Sequence, residues 1–328
     1  MSVLDDEMMA HAAAVGRGAR GESRPNPWVG AVVVDGRGVM IASGATEPPG
    51  ERHAEVVALD AAGEAALGAT LYVTLEPCAH TGRTPPCTDR IIAARVARVV
   101  VGLEDPDTRV SGSGLRALRD AGIVVDVGTR ADEVRADLAP YLHHRSTGRP
   151  LVVLKWASTL DGRTAAPDGS SRWITSETAR RDVHQLRADS DAVLVGAGTV
   201  RRDDPQLTVR FGGFDRQPLR VVLGAAPPGA RVHPCLEYSG DLGEMLDDLG
   251  SRGVLQLLVE GGAHVAHEFL AAGLVDRIVA YLAPALLGGD DGAPVFAGTG
   301  VATIADALRG RFVSVAALGE DLRVEVET

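Results

Sequence analysis

Lysine and asparagine are nearly missing from this sequence. Lys155 is the single lysine among 33 basic residues, the rest being arginine, and Asn26 is the single asparagine. Both residues share A/T-rich codons, so a strongly G+C-biased genome is the simple cause. Under such drift a surviving Lys marks a place that needs a compact, titratable charge rather than a guanidinium. A surviving Asn marks a place that needs a donor and an acceptor together. Chance survival is the competing reading. Cysteine is scarce too. Three in 328 residues are too few for a disulfide framework, so a cytoplasmic location is expected. Positive charge is short, with 33 Lys+Arg against 44 Asp+Glu and a net charge of -11. That balance argues against nucleic-acid and membrane-surface partners, which are captured by a basic patch. A local basic pocket for one phosphate remains open. No apolar run approaches the roughly 18 residues of a membrane span. Asp5, Asp6 and Glu7 near the start argue against a signal peptide with a basic lead.

What is present is ordinary for a globular chain, with 45% hydrophobic and 23% charged residues. At about 150 residues per domain, the length suggests two domains. Trp28 to Val34 and Gly38 to Ser43 read as a strand pair across Asp35-Gly36, a hairpin signal. A helix is expected over His53 to Ala65, a strand over Leu71 to Leu75, and a helix over Asp89 to Ala97 running into a strand over Arg98 to Val101. A helix over Ser113 to Ala121, ended by Gly122, precedes a strand over Ile123 to Val127. The polar stretch Arg145 to Pro150 reads as the boundary, giving domains over 1–146 and 150–328. Beyond it, strands are expected over Leu151 to Trp156, Ala192 to Gly196, Leu219 to Leu223, Val254 to Val259 and Asp276 to Leu282. Helices are expected over Ser176 to Ala188 and Ala263 to Ala272, with a closing strand pair over Phe312 to Leu318 and Leu322 to Glu327. Both halves are α/β.

The first half carries a metal pattern. His53-Ala54-Glu55 opens a helix, Pro77-Cys78 follows a strand, and Pro85-Pro86-Cys87 comes nine positions later. One His and two Cys are good zinc ligands, and three protein ligands leave a position for water, as catalytic zinc sites do. Zinc brings the pKa of that water toward about 7. Glu55, two residues from the ligand, is near enough to shuttle a proton without binding the metal. This is the His-x-Glu and Pro-Cys layout of zinc deaminases, except that eight residues separate the cysteines. His80, two residues from Cys78, would chelate awkwardly and suits a pocket wall. Cys235 has no partner in this pattern and reads as structural.

Pro25-Asn26-Pro27-Trp28-Val29-Gly30, the His53 triplet and the run Thr74-Leu75-Glu76-Pro77-Cys78-Ala79-His80-Thr81-Gly82-Arg83-Thr84-Pro85-Pro86-Cys87 resemble the bifunctional riboflavin-biosynthesis deaminase/reductase family. The resemblance implies a cytidine-deaminase-like three-layer fold and hydrolytic loss of the 2-amino group of a diaminopyrimidinone ribosyl phosphate. It implies zinc on His53, Cys78 and Cys87 and proton transfer by Glu55. Asn26 would read the heterocycle, and His80 and Arg83 would approach the substrate. Thr46 stands where the family usually has His.

The second half offers Lys155 to Arg163, Ser170 to Thr175, Gly196-Ala197-Gly198-Thr199, Asp203 to Arg210, and Val259-Glu260-Gly261-Gly262. Glycine-rich turns that open helices present free N–H groups to phosphates. Neither turn has the full dinucleotide fingerprint, so a standard Rossmann domain is not expected. On its own, Trp173 stacks on a ring or fills core, core being the usual case, and Arg187 and Arg210 could grip a sugar phosphate, although isolated Arg residues in so Arg-rich a chain are usually surface. Together these segments resemble the reductase domain of the same family, with a dihydrofolate-reductase-like fold and NADPH as cofactor. That implies Lys155 at the reacting sugar, with Ser171, Arg187, Leu207, Arg210 and Glu260 lining the substrate site. It implies Ala157, Trp173, Thr199, Asp203 and Gly262 at the cofactor. Ala225 to Gly253 is shorter than the family's strand-and-helix segment, which points to a trimmed sheet edge or cofactor site. The expected enzyme is a homo-oligomer acting on small pyrimidine ribosyl phosphates. Three other readings stay open: a deaminase with a degenerate second domain, a zinc-stabilised non-catalytic protein, and a nucleic-acid deaminase. The acidic balance and the lack of a basic, aromatic-studded surface oppose the last.

Overall fold

The computed structural model describes residues 2–107, 110–211 and 216–328. It divides into two compact units, Met1–Gly148 and Arg149–Thr328.

In the first unit the elements are α1 (Val3–Gly18), β1 (Gly30–Val34), β2 (Met40–Ala45), α2 (Ala54–Ala62), β3 (Thr70–Leu75), α3 (Cys87–Ala94), β4 (Arg98–Leu103), α4 (Ser113–Asp120), β5 (Val124–Val127), α5 (Ala131–Asp137) and α6 (Ala139–Thr147). The sheet order is β2-β1-β3-β4-β5. β1 runs antiparallel to β2 and β3, whereas β3, β4 and β5 are parallel. The expected hairpin, helices and strands are all present, to within a few residues at their ends. Helices α1, α5 and α6 fall where no helix was expected, and the polar run Arg145 to Thr147 is the last turn of α6 rather than linker.

β1 is buried along its whole length, as a strand covered on both faces must be. Two glycines allow that coverage. A Cβ on Gly30 would overlap the Ala12 carbonyl of α1, and one on Gly44 would come within 2.6 Å of the Ala58 nitrogen of α2. Gly44 pairs with Ala31, the neighbour of Gly30, so the two glycines face opposite sides of the sheet. Helices α1 and α2 therefore cover opposite faces, which gives three layers.

The second unit contains β6 (Leu151–Thr159), β7 (Arg163–Ala165), α7 (Glu177–Ala188), β8 (Ala192–Gly196), α8 (Ala197–Asp203), β9 (Leu219–Leu223), β10 (Leu236–Tyr238), α9 (Leu242–Ser251), β11 (Gln256–Val259), α10 (Ala263–Ala271), β12 (Arg277–Ala283), β13 (Ala293–Pro294), β14 (Arg311–Leu318) and β15 (Asp321–Glu327). Eight strands form one sheet in the order β10-β9-β8-β11-β6-β12-β15-β14, parallel from β10 to β12 and antiparallel beyond. Val152, Leu194, Leu257 and Val259 of the central strands pack with Met245, Leu246 and Leu249 of α9 and Phe269 of α10. This bears on the expectation for Ala225 to Gly253. The segment forms both a strand, β10, at one end of the sheet, and a helix, α9. Asp241 caps α9 by accepting from the Glu244 N–H at 2.9 Å.

Candidate active sites

The metal pattern converges in space. His53 caps α2 and Cys87 is the first residue of α3, while Cys78 lies just beyond β3. His53 Nδ1 is 3.2 Å from Cys87 Sγ and 3.7 Å from Cys78 Sγ, and the Cys87 N–H donates to Cys78 Sγ at 3.4 Å. The three donor atoms lie within 4.8 Å of one another. Two sulfurs and one imidazole nitrogen, half-buried or buried, fit zinc. The positive end of the α3 dipole favours thiolate at this point. Hydrogen bonding from Cys87, and then His53, holds the Cys78 thiol below its ordinary range against the opposing effect of burial.

Glu55 is the second residue of α2, with its side chain buried, and burial pushes its carboxyl up to about 7. It lines a pocket with Asn26, His53, Cys78 and His80. The His80 Nδ1 is buried without a hydrogen-bond partner. His80 is not among the converging metal donors. Arg83 is exposed and does not line this pocket. Thr46 is buried at the wall, where its hydroxyl accepts from the Val29 N–H at 3.2 Å.

Sequence reasoning missed four further wall residues, Asp105, Asp107, Tyr141 and Arg145. Asp105 and Asp107 follow β4, at the carboxyl ends of parallel strands where α/β ligand sites form. That position was the available signal. Asp105 accepts from the Tyr141 hydroxyl at 3.1 Å. Tyr141 and Arg145 are one turn apart on α6, with the guanidinium over the ring at 5.0 Å. Glu76, also on the wall, accepts backbone N–H bonds from Asp105, Gly112, Gly114 and Leu115, tying the loop after β4 to the start of α4.

In the second unit, Lys155, Trp173, Arg187, Arg210 and Glu260 share one cavity. Arg187 donates to both carboxylate oxygens of Glu260, through Nε at 2.6 Å and a terminal nitrogen at 3.0 Å. Lys155 Nζ lies 3.8 Å from the same carboxylate. Burial raises the Glu260 pKa, but the charges of Arg187 and Lys155 outweigh it and hold the group near about 2. Burial lowers the Lys155 pKa, partly offset by Glu260. His184, in the same cavity, is driven down to about 4 by burial and then by Arg187 and Arg210; its Nδ1 accepts from the Arg210 N–H at 3.2 Å.

Ser171 lines a second cavity that shares Trp173. Trp173 is 69% exposed, which overturns its reading as core, and Arg180 stacks over its ring at 4.3 Å. Leu207 is buried with φ +55° and lines neither cavity. Gly262 caps α10 with no side-chain bond to the first-turn N–H groups, and a Cβ there would lie 3.5 Å from Thr199 Oγ1. Thr199 and Gly262 are thus neighbours beyond the carboxyl ends of paired strands β8 and β11. A helix start with no side-chain cap, next to Thr199, suits a phosphate group such as a nicotinamide cofactor carries. Asp203 ends α8, its carbonyl accepting from Arg172 at 3.4 Å; Ala157, on β6, is half-buried beside Tyr281.

Residues 2–103 match the cytidine and deoxycytidylate deaminase zinc-binding region, and residues 150–324 match the RibD C-terminal domain. The fold and sites therefore define a zinc-binding deaminase joined to a reductase. The chain is 46% identical over 330 residues to riboflavin biosynthesis protein RibD of Mycobacterium tuberculosis, covering 97% of this chain and 95% of that protein. It is 39% identical over 360 residues to RibD of Escherichia coli, covering 97% and 98%. Acinetobacter baumannii RibD superposes with a TM-score of 0.92 at 37% identity, covering 99% of this chain and 98% of that one. A diaminohydroxyphosphoribosylaminopyrimidine deaminase/5-amino-6-(5-phosphoribosylamino)uracil reductase from Thermotoga maritima superposes with a TM-score of 0.91 at 35% identity, with the same coverage. The chain belongs to the RibD family, the bifunctional deaminase–reductases of riboflavin biosynthesis.

Proposed function

We propose that residues 1–146 remove the 2-amino group of a diaminopyrimidinone ribosyl phosphate by hydrolysis, and that residues 150–328 then reduce the ribosyl chain of the product to ribityl with NADPH. The carrying observation is the convergence of His53, Cys78 and Cys87 beside buried Glu55, in the same chain as the Lys155–Glu260–Arg187 cluster. The activity named for the Thermotoga relative supports this substrate class.

His53, Cys78 and Cys87 hold zinc, which when bound supplies a Lewis acid that makes water nucleophilic at neutral pH. Glu55 carries a proton on its carboxylate from the attacking water to the departing amine. Asn26 donates to and accepts from the heterocycle, and His80 offers its free Nδ1 to the substrate. Arg145 supplies the cation inside the pocket for the phosphate, with Arg83 outside at its approach. In the second unit the nicotinamide, when bound, supplies the hydride for C1 of the ribosyl chain. Lys155 holds its ammonium at the reacting sugar, positioned by Glu260. Arg187 and Arg210 bind the phosphate end, with Ser171 and Leu207 shaping the rest of the substrate site. Ala157, Trp173, Thr199, Asp203 and Gly262 hold the cofactor.

The enzyme works as a cytoplasmic homo-oligomer on small molecules and binds neither nucleic acid nor membrane. Support for a second copy comes from edge strand β14 and its neighbour, where Phe312 (68%), Val315 (59%) and Leu322 (42%) are exposed. The test is a separation of activities. Glu55→Gln should keep its zinc and its reductase rate while ammonia release falls at least about a thousandfold, at the strong end of general acid–base effects. Wild-type ammonia release in that variant would remove Glu55 from the mechanism. Reduction should also run faster with NADPH than with NADH.

A further inference from the structure

The segment Ala225 to Gly253 carries a second group of metal-ligating side chains, far along the chain from the His53 centre. Glu237 lies in β10, and His233 and Cys235 lie in the irregular lead into it. Their donor atoms lie within 4.8 Å of one another. Cys235, which the sequence left without a partner, has two potential ligands beside it. It is half-buried, with its Sγ 3.4 Å from His233 Nδ1.

Two backbone contacts orient these side chains as metal ligands are usually oriented. His233 Nε2 lies 3.1 Å from the Pro227 carbonyl. A carbonyl only accepts, so Nε2 carries the hydrogen and Nδ1 presents its lone pair toward Cys235. Glu237 Oε1 accepts from the Ala226 N–H at 3.0 Å, which leaves Oε2 for another partner. An imidazole whose far nitrogen donates to a carbonyl, beside a carboxylate held by an N–H, is the support that metal ligands commonly have.

We propose that His233 Nδ1, Cys235 Sγ and Glu237 Oε2 form a second metal site for a divalent ion of the zinc class. The donor set is one nitrogen, one sulfur and one oxygen. It selects borderline transition ions and rejects magnesium and calcium, which need all-oxygen shells. Binding releases the Cys235 thiol proton to solvent and forms the sulfur–metal bond. Because the supporting groups belong to Ala226 and Pro227, the ion clamps that turn to edge strand β10.

The test uses the full-length enzyme, reduced and already loaded at the His53 centre, equilibrated with Zn2+ and freed of unbound metal. Wild type should retain one more zinc per chain than Cys235→Ser or His233→Ala, with deaminase and reductase rates unchanged. The readout is a difference of one ion, so it is independent of occupancy at the His53 centre. Added Co2+ should give a sulfur-to-cobalt charge-transfer band in wild type beyond any seen in Cys235→Ser. Equal zinc counts in wild type and both variants, or identical cobalt spectra, would overturn the site.

Discussion

Glu260 is buried between two cations and has little freedom to lose either. Glu260→Gln would leave Arg187 and Lys155 facing each other without a counter-charge, and breaking a buried pair costs about 3–5 kcal/mol. Urea unfolding should register a loss of that order, with reduction abolished. A loss under about 1 kcal/mol would mean the cluster is solvated in the unliganded enzyme. Lys155→Arg keeps the charge but replaces a compact ammonium with a planar fork beside the buried Glu260–Arg187 pair. Steady-state kinetics should show reduction falling at least about a hundredfold, with ammonia release unchanged. Arg145→Ala should raise the KM of deamination more than Arg83→Ala, because only Arg145 lines the pocket. At this scale the sequence was legible where a residue type was costly to replace. Lys155 and the zinc donors stood out by rarity and spacing. Asp105, Tyr141 and Arg145 did not, because only the fold brings α6 against the loop after β4.

Helix α1 packs on β1 and is also tied to the sheet by a buried acid. Asp5 is buried, caps its own helix with Ser2, accepts from the Tyr72 hydroxyl at 2.9 Å and pairs with Arg98 at 2.6 Å. The Arg98 hydrogen bond, opposed by burial, holds its carboxyl well below the usual carboxylate range. A depressed folded pKa means that the stabilisation is present above the ordinary value of about 4 and is lost as pH falls through the folded value. Asp5→Asn should cost about 2–3 kcal/mol at neutral pH, and the gap to wild type should close on acidification below about pH 4. Denaturant melts at both pH values would show it, and a gap independent of pH would assign the loss to packing. The same helix explains a blind spot. Its buried face is Asp5, Met9, Ala12, Ala13 and Gly16, an acid, three small residues and a single large apolar one, so it lacks the strong apolar stripe by which helices are found. Strands β1 and β2, by contrast, declared themselves through a branched apolar run and Asp35-Gly36. Helix α9 was obscured by its flanking Gly and Asp residues, although Met245, Leu246 and Leu249 keep helical spacing.

Across the whole molecule the account requires two separable chemistries in one chain. Metal removal divides them. A chelator should stop ammonia release and leave reduction of the deaminated intermediate intact, because only the first unit's site is built on the His53 donors. The two-unit organisation was legible from the length and the two motif sets. The division after Gly148 falls within the polar stretch Arg145 to Pro150, whose first residues are the last turn of α6 rather than linker.

The most direct test supplies the purified zinc-loaded enzyme with the diaminopyrimidinone ribosyl phosphate and NADPH in one reaction. Ammonia and the reduced-nicotinamide absorbance are followed together. The account predicts one nicotinamide oxidised for each ammonia released, with ammonia appearing first. Ammonia release with no loss of reduced nicotinamide would contradict it and leave a deaminase attached to an inactive second unit.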